Sequence, residues 1–205
     1  MPSPFFAMLS RMRHIRRWGL MRNTQPENLQ EHSLQVAVIA HALAVIRRTD
    51  YPAGPDGTPR PDVSPDRAAT LALFHDAPEI LVGDMPTPIK YYNPAIRDAF
   101  KAVEGIAGDK LLSMLPESLR PAYGPLLKPD GADPGTAEAL RLVKAADKIS
   151  AYMKCVEEEK SGNTEFRKAA QALLAGLETL DLPEVGHFLR EFLPAFHLSL
   201  DELEG

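Results

Sequence analysis

Apolar positions along this chain recur at intervals of three and four rather than two, which predicts helices and no sheet. Phe5, Met8 or Leu9, Met12 and Ile15 keep that spacing over Pro4 to Ile15, and Gly19 offers a terminator after Arg16-Arg17-Trp18. Asn28, with Glu31 three residues on, reads as an N-cap with a capping-box partner. The helix it opens carries Val36, Ile39, Leu43 and Ile46 and is apolar nearly all round, as a central element would be. Ser64-Pro65-Asp66 opens a third helix, with a serine cap, a first-turn proline and an acid facing the helix dipole. It turns Leu71 and Phe74 inward. Asn93-Pro94 opens a fourth, with Ile96, Phe100, Val103, Ala107 and Leu111 on one face, stopped by Pro116.

Residues Pro116 to Pro134 read as turns around a short helical piece, without chemistry. Asp133-Pro134 then opens the longest helix, to about Lys160, through Leu140, Val143, Ile149, Tyr152, Met153 and Val156. Gly162-Asn163-Thr164 ends it and caps a helix with Phe166, Ala170, Leu173 and Leu177, and a last helix spans Pro183 to Leu193. Only Thr49 to Ser64, with four prolines and two glycines, reads as a long irregular surface excursion. The expected fold is all-α, about six to eight helices around one core, in a single domain over residues 1–205.

The third helix delivers His75-Asp76 at its end. Adjacent side chains on an unbroken helix point about 100° apart, so the pair converges on one ion only where the helix stops. Pro78 gives it a reason to stop. Asp76 and Glu79 also stand in cap and third-residue relation, so a capping box is an alternative account of both carboxylates. Asp147 follows Val143 by four positions and Leu140 by seven and therefore points inward. A carboxylate there needs a partner, either Lys144 or Lys148 in a salt bridge, or a metal.

His32 lies in the first turn of its helix, where the dipole disfavours imidazolium and leaves a ring nitrogen free for metal. His41, deeper in the same helix, reads as a core histidine, and His197 in the tail as packing or solvated. Two imidazoles and two carboxylates make an N/O set suited to Mn, Fe, Co, Ni or Zn, although spacing alone does not bring them together. Gly83-Asp84-Met85-Pro86-Thr87-Pro88 is a stiff loop, either a pocket wall or a connector. Trp18 beside paired arginines is either surface packing or a substrate platform.

A formal charge of −5 argues against a general nucleic-acid binder. Arg11, Arg13, His14, Arg16, Arg17 and Arg22 are the exception, as a solvated face or an anion site. The single cysteine, Cys155, excludes an internal disulfide and any cysteine-based metal cluster. No uninterrupted apolar run approaches the ~20 residues of a membrane span, and the N-terminus lacks a signal-peptide pattern. No membrane association and a cytoplasmic location are expected.

The order H…HD…D, with Glu31-His32-Ser33 first and Lys144-Ala145-Ala146-Asp147-Lys148 last, resembles the HD-domain metal-dependent phosphohydrolases. Arg17-Trp18-Gly19-Leu20-Met21-Arg22-Asn23, Glu31 to Ala37, His75 to Glu79, Gly83 to Tyr91 and Phe196 to Glu202 are similar to the bacterial YfbR-like 5'-deoxynucleotidases. The resemblance spans nearly the whole chain. It implies His32, His75, Asp76 and Asp147 as metal ligands, Glu79 as the acid that assists proton transfer, and Arg17 as the catalytic phosphate-binding arginine. It further implies substrate contacts from Trp18, at the sugar pocket, from Asp84, on the 3'-hydroxyl side, and from Thr87, His32, Asp76 and Asp147. The family resembled is a homodimer that removes phosphate from deoxyribonucleoside 5'-monophosphates with one cobalt or other divalent ion per subunit. Departures are Pro78, where a small polar residue is common, and the longer proline-rich Thr49 to Ser64 loop. The alternatives are a relative acting on a ribonucleotide, a triphosphate or a cyclic dinucleotide, and a module that binds nucleotide without hydrolysing it.

Overall fold

The computed structural model describes residues 2–90 and 92–204, save the side chain of Thr87. From the N-terminus, α1 (Phe5–Leu9) tightens into a 3-10 turn over Ser10–His14, burying Phe5 and Met12. The backbone straightens at Ile15, and the left-handed residue that follows is Trp18 (φ 58°) rather than Gly19, where the sequence placed the terminator. α2 (Leu29–Asp50) starts on the expected capping box: Asn28 accepts from the Gln30 and Glu31 amides, and Glu31 accepts from the Asn28 amide. α3 (Pro65–Phe74) starts on Ser64, whose hydroxyl accepts from the Arg67 amide.

Two single turns follow, α4 (Glu79–Val82) and α5 (Thr87–Lys90). Gly83 between them has φ 80°, a conformation that a Cβ disfavours, and it ends α4. α6 (Pro94–Ser113) is capped by Asn93 and is followed by α7 (Arg120–Leu127). α8 (Pro134–Lys160) is capped by the Asp133 carboxylate and ends before left-handed Gly162. Asn163 caps a 3-10 turn that leads into α9 (Arg167–Glu178), and α10 (Pro183–Glu191) and α11 (Leu200–Leu203) close the chain.

Among the described residues the fold is all-α, with no strand and only isolated bridges at Arg16–Asn28 and Ala53–Pro59. α2 is the axis. It packs against α3, α8 and α10, and Val36, Ile39 and Leu43 meet Leu71, Leu142, Ile149, Val185 and Phe188 in the main core. Each such side chain contributes about 1.5–3 kcal/mol by leaving water. α2 has 22 residues, and its most apolar 18-residue window has a mean hydropathy of 1.2, so by length and composition alone it could cross a membrane, although polar residues interrupt its apolar run as the sequence predicts. Here its inner face, with Val36, Ile39 and Leu43, packs on protein, and it also buries Arg47, which donates to Glu184 and Glu138.

Three packing expectations fail. His41 is 47% exposed on the outer face of α2, 3.9 Å from Asp66, and is not a core histidine. Leu34, Val38 and Val45 share that outer face, so α2 is not buried all round. Val103 on α6 is exposed, leaving Phe100, Ala107 and Leu111 to make the contact. The proline-rich excursion begins later than expected, since α2 persists to Asp50, and it folds back on itself through a bond from the Arg60 amide to the Pro52 carbonyl. Arg11, Arg13, His14, Arg16 and Arg22 are solvated, whereas Arg17 is turned inward. Cys155 is a buried free thiol whose pKa burial pushes up to about 12, which makes it a core residue.

Candidate metal centre and phosphate site

His75 is the C-cap of α3, and the chain turns through Asp76, Ala77 and Pro78 before α4 begins. Helical direction is lost here, so the two adjacent side chains converge, with His75 Nε2 3.1 Å from Asp76 Oδ2. The alternative capping box does not form. Pro78 occupies the N-cap of α4 and no side chain caps it, which leaves the Asp76 and Glu79 carboxylates without that role. From the middle of α8, Asp147 Oδ1 comes within 3.0 Å of His32 Nε2 and 4.0 Å of Arg17 Nη2. These, rather than Lys144 or Lys148, are its ionic neighbours among the described residues.

A second layer fixes both rings. Ser150 donates its hydroxyl hydrogen to Gln35 Oε1 at 2.6 Å, so toward His32 Nδ1, 3.1 Å away, it acts as acceptor. The Ala72 carbonyl, 2.6 Å from His75 Nδ1, is an acceptor by nature. A neutral ring at either position therefore keeps its proton on Nδ1 and points the Nε2 lone pair into the cleft. Both Nε2 atoms are buried, each lies 3.0–3.1 Å from a carboxylate oxygen, and neither makes an aligned hydrogen bond to it. One donor atom from each of His32, His75 and Asp147 lies within 4.8 Å of the others, and Asp76 Oδ2 flanks them 3.7 Å from His32 Nε2. Orphaned imidazole nitrogens beside carboxylate oxygens fit a divalent transition ion.

Electrostatics separates the acids. Burial opposes the Asp76 charge, but His75, His32 and Arg17 prevail and hold its carboxyl well below the usual range. Burial likewise opposes the charge on Asp147, and the His32 and His75 rings bring its pKa down. Burial also disfavours a charged His75, yet the Asp76 carboxylate outweighs this and raises its pKa to about 9. Glu79 goes the other way: burial, then repulsion from Asp76 and Asp84, pushes its carboxyl up to about 9. At neutral pH it is a buried neutral acid, with Oε2 unpartnered. Burial raises Asp84 as well.

Arg17 faces this cluster with Nη1 3.4 Å from Asp76 Oδ2. Burial works against its charge, and the carboxylates of Glu27, Asp147, Asp76 and Asp84 more than compensate. Trp18 packs on Phe166, ring centroids 5.3 Å apart, and its indole Nε1 donates to Glu27 Oε2 at 3.0 Å. Its left-handed backbone costs about 1–3 kcal/mol and persists only if neighbours enforce it. The structure thus gathers Arg17, His32, His75, Asp76, Glu79, Asp84 and Asp147 at one place, with Trp18 next to Arg17 and packed on Phe166. The Thr87 side chain and Tyr91 lie outside the described residues.

Several participants carried no sequence signal. Ser150 and Gln35 are ordinary helix residues, and only the second layer behind His32 reveals them. Glu158, buried in α8, accepts from the Thr24 and Gln25 amides, the Thr24 hydroxyl, Asn163 and Lys154, tying down the loop that carries Arg17 and Trp18. A C-terminal acidic run on a helix reads as a solvated face, and nothing periodic marks the one inward member.

The fold is that of the HD-domain phosphohydrolases. The crystal structure of one from Listeria innocua superposes with a TM-score of 0.76 over 98% of this chain and 91% of that one, at 25% identity. A cyanophage S-2L HD phosphohydrolase, solved with dA and one catalytic Zn2+, has the same fold at a TM-score of 0.61 and 21% identity, over 93% of this chain and 95% of that one. Residues 4–196 match the model of the YfbR-like 5'-deoxynucleotidases. The 5'-deoxynucleotidase YfbR of Escherichia coli is 47% identical over 201 residues, 98% of this chain and 96% of that protein. A 5'-deoxynucleotidase of Photobacterium profundum is 48% identical over 98% of each chain. The chain belongs to the YfbR-like 5'-deoxynucleotidase family.

Proposed function

We propose that this chain is a metal-dependent 5'-deoxynucleotidase, acting as a single domain on deoxyribonucleoside 5'-monophosphates. The observation that carries the reading is the pair of buried, unpartnered imidazole nitrogens converging on Asp147 beneath the Arg17 guanidinium. His32, His75, Asp76 and Asp147 would hold one divalent ion; cobalt suits this donor set, as do Mn, Fe, Ni and Zn. Such an ion supplies Lewis acidity and lowers the pKa of water at the site.

The protein's own groups do the rest. Arg17 has its Nη groups toward the cluster and clamps the phosphate, stabilising charge that develops on it. Water attacks phosphorus, the bond from phosphorus to the 5'-oxygen breaks, and Glu79 delivers its proton to that departing oxygen. The elevated pKa supports this acid role over a purely water-orienting one, because the proton is present at neutral pH. Trp18 and Asp84 shape the sugar end, where the indole disfavours a 2'-hydroxyl. The working unit would be a homodimer, a reading that the exposed Leu34, Val38 and Val45 on the outer face of α2 support. Phosphate release from dAMP, AMP and dATP with each divalent metal in turn tests the proposal. Preference for dAMP is expected, and a metal-loaded protein that leaves dAMP intact refutes it.

A further inference from the structure

Arg17 and Trp18 are neighbours in sequence but present different groups, and one atom ties them together. Glu27 Oε2 accepts from Arg17 Nε at 3.0 Å and from the Trp18 indole Nε1 at 3.0 Å. The Arg17 amide also donates to the Glu27 carbonyl at 3.0 Å, so the two limbs of the loop are paired in backbone as well. A guanidinium offers one Nε–H and four Nη hydrogens. With Nε held by Glu27, the Nη edge is the one left facing Asp76 and Asp147. The same carboxylate oxygen fixes the rotation of an indole whose backbone is left-handed and whose ring rests on Phe166.

We infer that Glu27 is a positioning residue that sets the phosphate arginine and the sugar-pocket tryptophan in register, and so governs deoxyribose selection. The inference rests on the proposed deoxynucleotidase reading. Glu27 reaches none of the four presumed metal ligands through any contact described above. Loosening it should shift the Arg17 fork off the phosphate and let the indole rotate away from the 2' side. The loop base should stay in place without it, because Glu158 holds Thr24 and Gln25 independently.

The experiment compares wild type, Glu27→Ala and Glu27→Gln as metal-loaded full-length proteins. The Ala variant removes a charge-assisted bond to Arg17 and the acceptor of the indole, so kcat/KM for dAMP should fall about 10- to 100-fold. The dAMP-over-AMP ratio should fall with it, while metal content stays at the wild-type level. The Gln variant keeps a neutral acceptor for the indole and should retain more of the ratio than of the rate. Trp18 is the single tryptophan, so intrinsic fluorescence reads the indole directly. Its emission and acrylamide quenching should change in the Ala variant and much less in the Gln variant. Unchanged selectivity with unchanged fluorescence in Glu27→Ala overturns the inference, as does a rate loss explained by lost metal. If the Ala variant does not fold, the Gln variant decides: wild-type rate and ratio together refute the role. A wild-type protein that shows no preference for dAMP instead refutes the deoxynucleotidase reading on which the inference stands.

Discussion

Glu79→Gln isolates the proton that Glu79 carries. The folded protein holds that proton up to about pH 9, whereas an unfolded glutamate loses it near 4.5. Between those values the native state binds one more proton than the unfolded chain, so this group makes stability fall as pH rises. The slope is about 1.4 kcal/mol per pH unit, and by pH 7 the accumulated cost is about 3 kcal/mol. Glutamine matches the neutral carboxyl in shape and never pays for protonation. At pH 7 the metal-free variant should therefore melt roughly 6–12 °C above the metal-free wild type, given about 2–4 °C per kcal/mol for a chain of this size. The gap should nearly close by pH 4.5, where the unfolded glutamate is itself half protonated.

Activity should move the opposite way. The amide cannot donate a proton to the 5'-oxygen, and kcat should drop about 10²- to 10⁴-fold with metal content unchanged. Wild-type kcat should decline on the alkaline side as the acid is lost, a limb absent from the variant; a cation held by Asp76 relieves its repulsion of Glu79 and moves that limb below the value of the metal-free protein. Differential scanning fluorimetry at pH 4.5 and 7, with phosphate release across the pH range, checks both halves. Equal melting temperatures at pH 7 would show that Glu79 is not neutral, and wild-type turnover in Glu79→Gln would show that it is not the acid.

Other expectations concern the metal and the loop. His75→Ala and Asp147→Ala should each lose both bound metal, read by elemental analysis, and turnover; full activity in either would remove that residue from the site. In the metal-free protein His75 is protonated up to about pH 9, so a metal must displace that proton. Apparent metal affinity should rise with pH toward 9, and calorimetry in buffers of different ionisation heat should show proton release; a pH-independent affinity contradicts this. The same raised pKa stabilises the metal-free fold fully below pH 6.5, an advantage lost as pH climbs through about 9. Glu158→Ala leaves the buried Lys154 with the Gln25 carbonyl but no counter-charge and frees the Thr24 and Gln25 amides, and should cost about 3–5 kcal/mol in urea unfolding.

How far the chain could be read in advance follows from which interactions are local. Helix starts were legible because Asn28, Ser64, Asn93, Asp133 and Asn163 cap the amides two or three residues ahead, a contact that needs no tertiary structure. The break at Pro78 was legible for the same reason. Periodicity failed at His41 and Val103 because spacing fixes a face of a helix without saying which neighbour covers it. The His75-Asp76 pair could be singled out, but its capping-box rival fell only when the N-cap of α4 proved to be Pro78.

Asp147 shows the same limit from the other side. The helix pattern said that it points inward, and its choice between a lysine and a metal partner waited on where α2 and the Arg17 loop cross α8. Glu27 is the extreme case, an acid in a coil whose only distinguishing property is that Arg17 and Trp18, ten and nine residues earlier, return to the same oxygen. Residues that donate atoms to the chemistry are constrained in type and leave a motif. Those that hold the donors in place are constrained by position, which only the folded chain supplies.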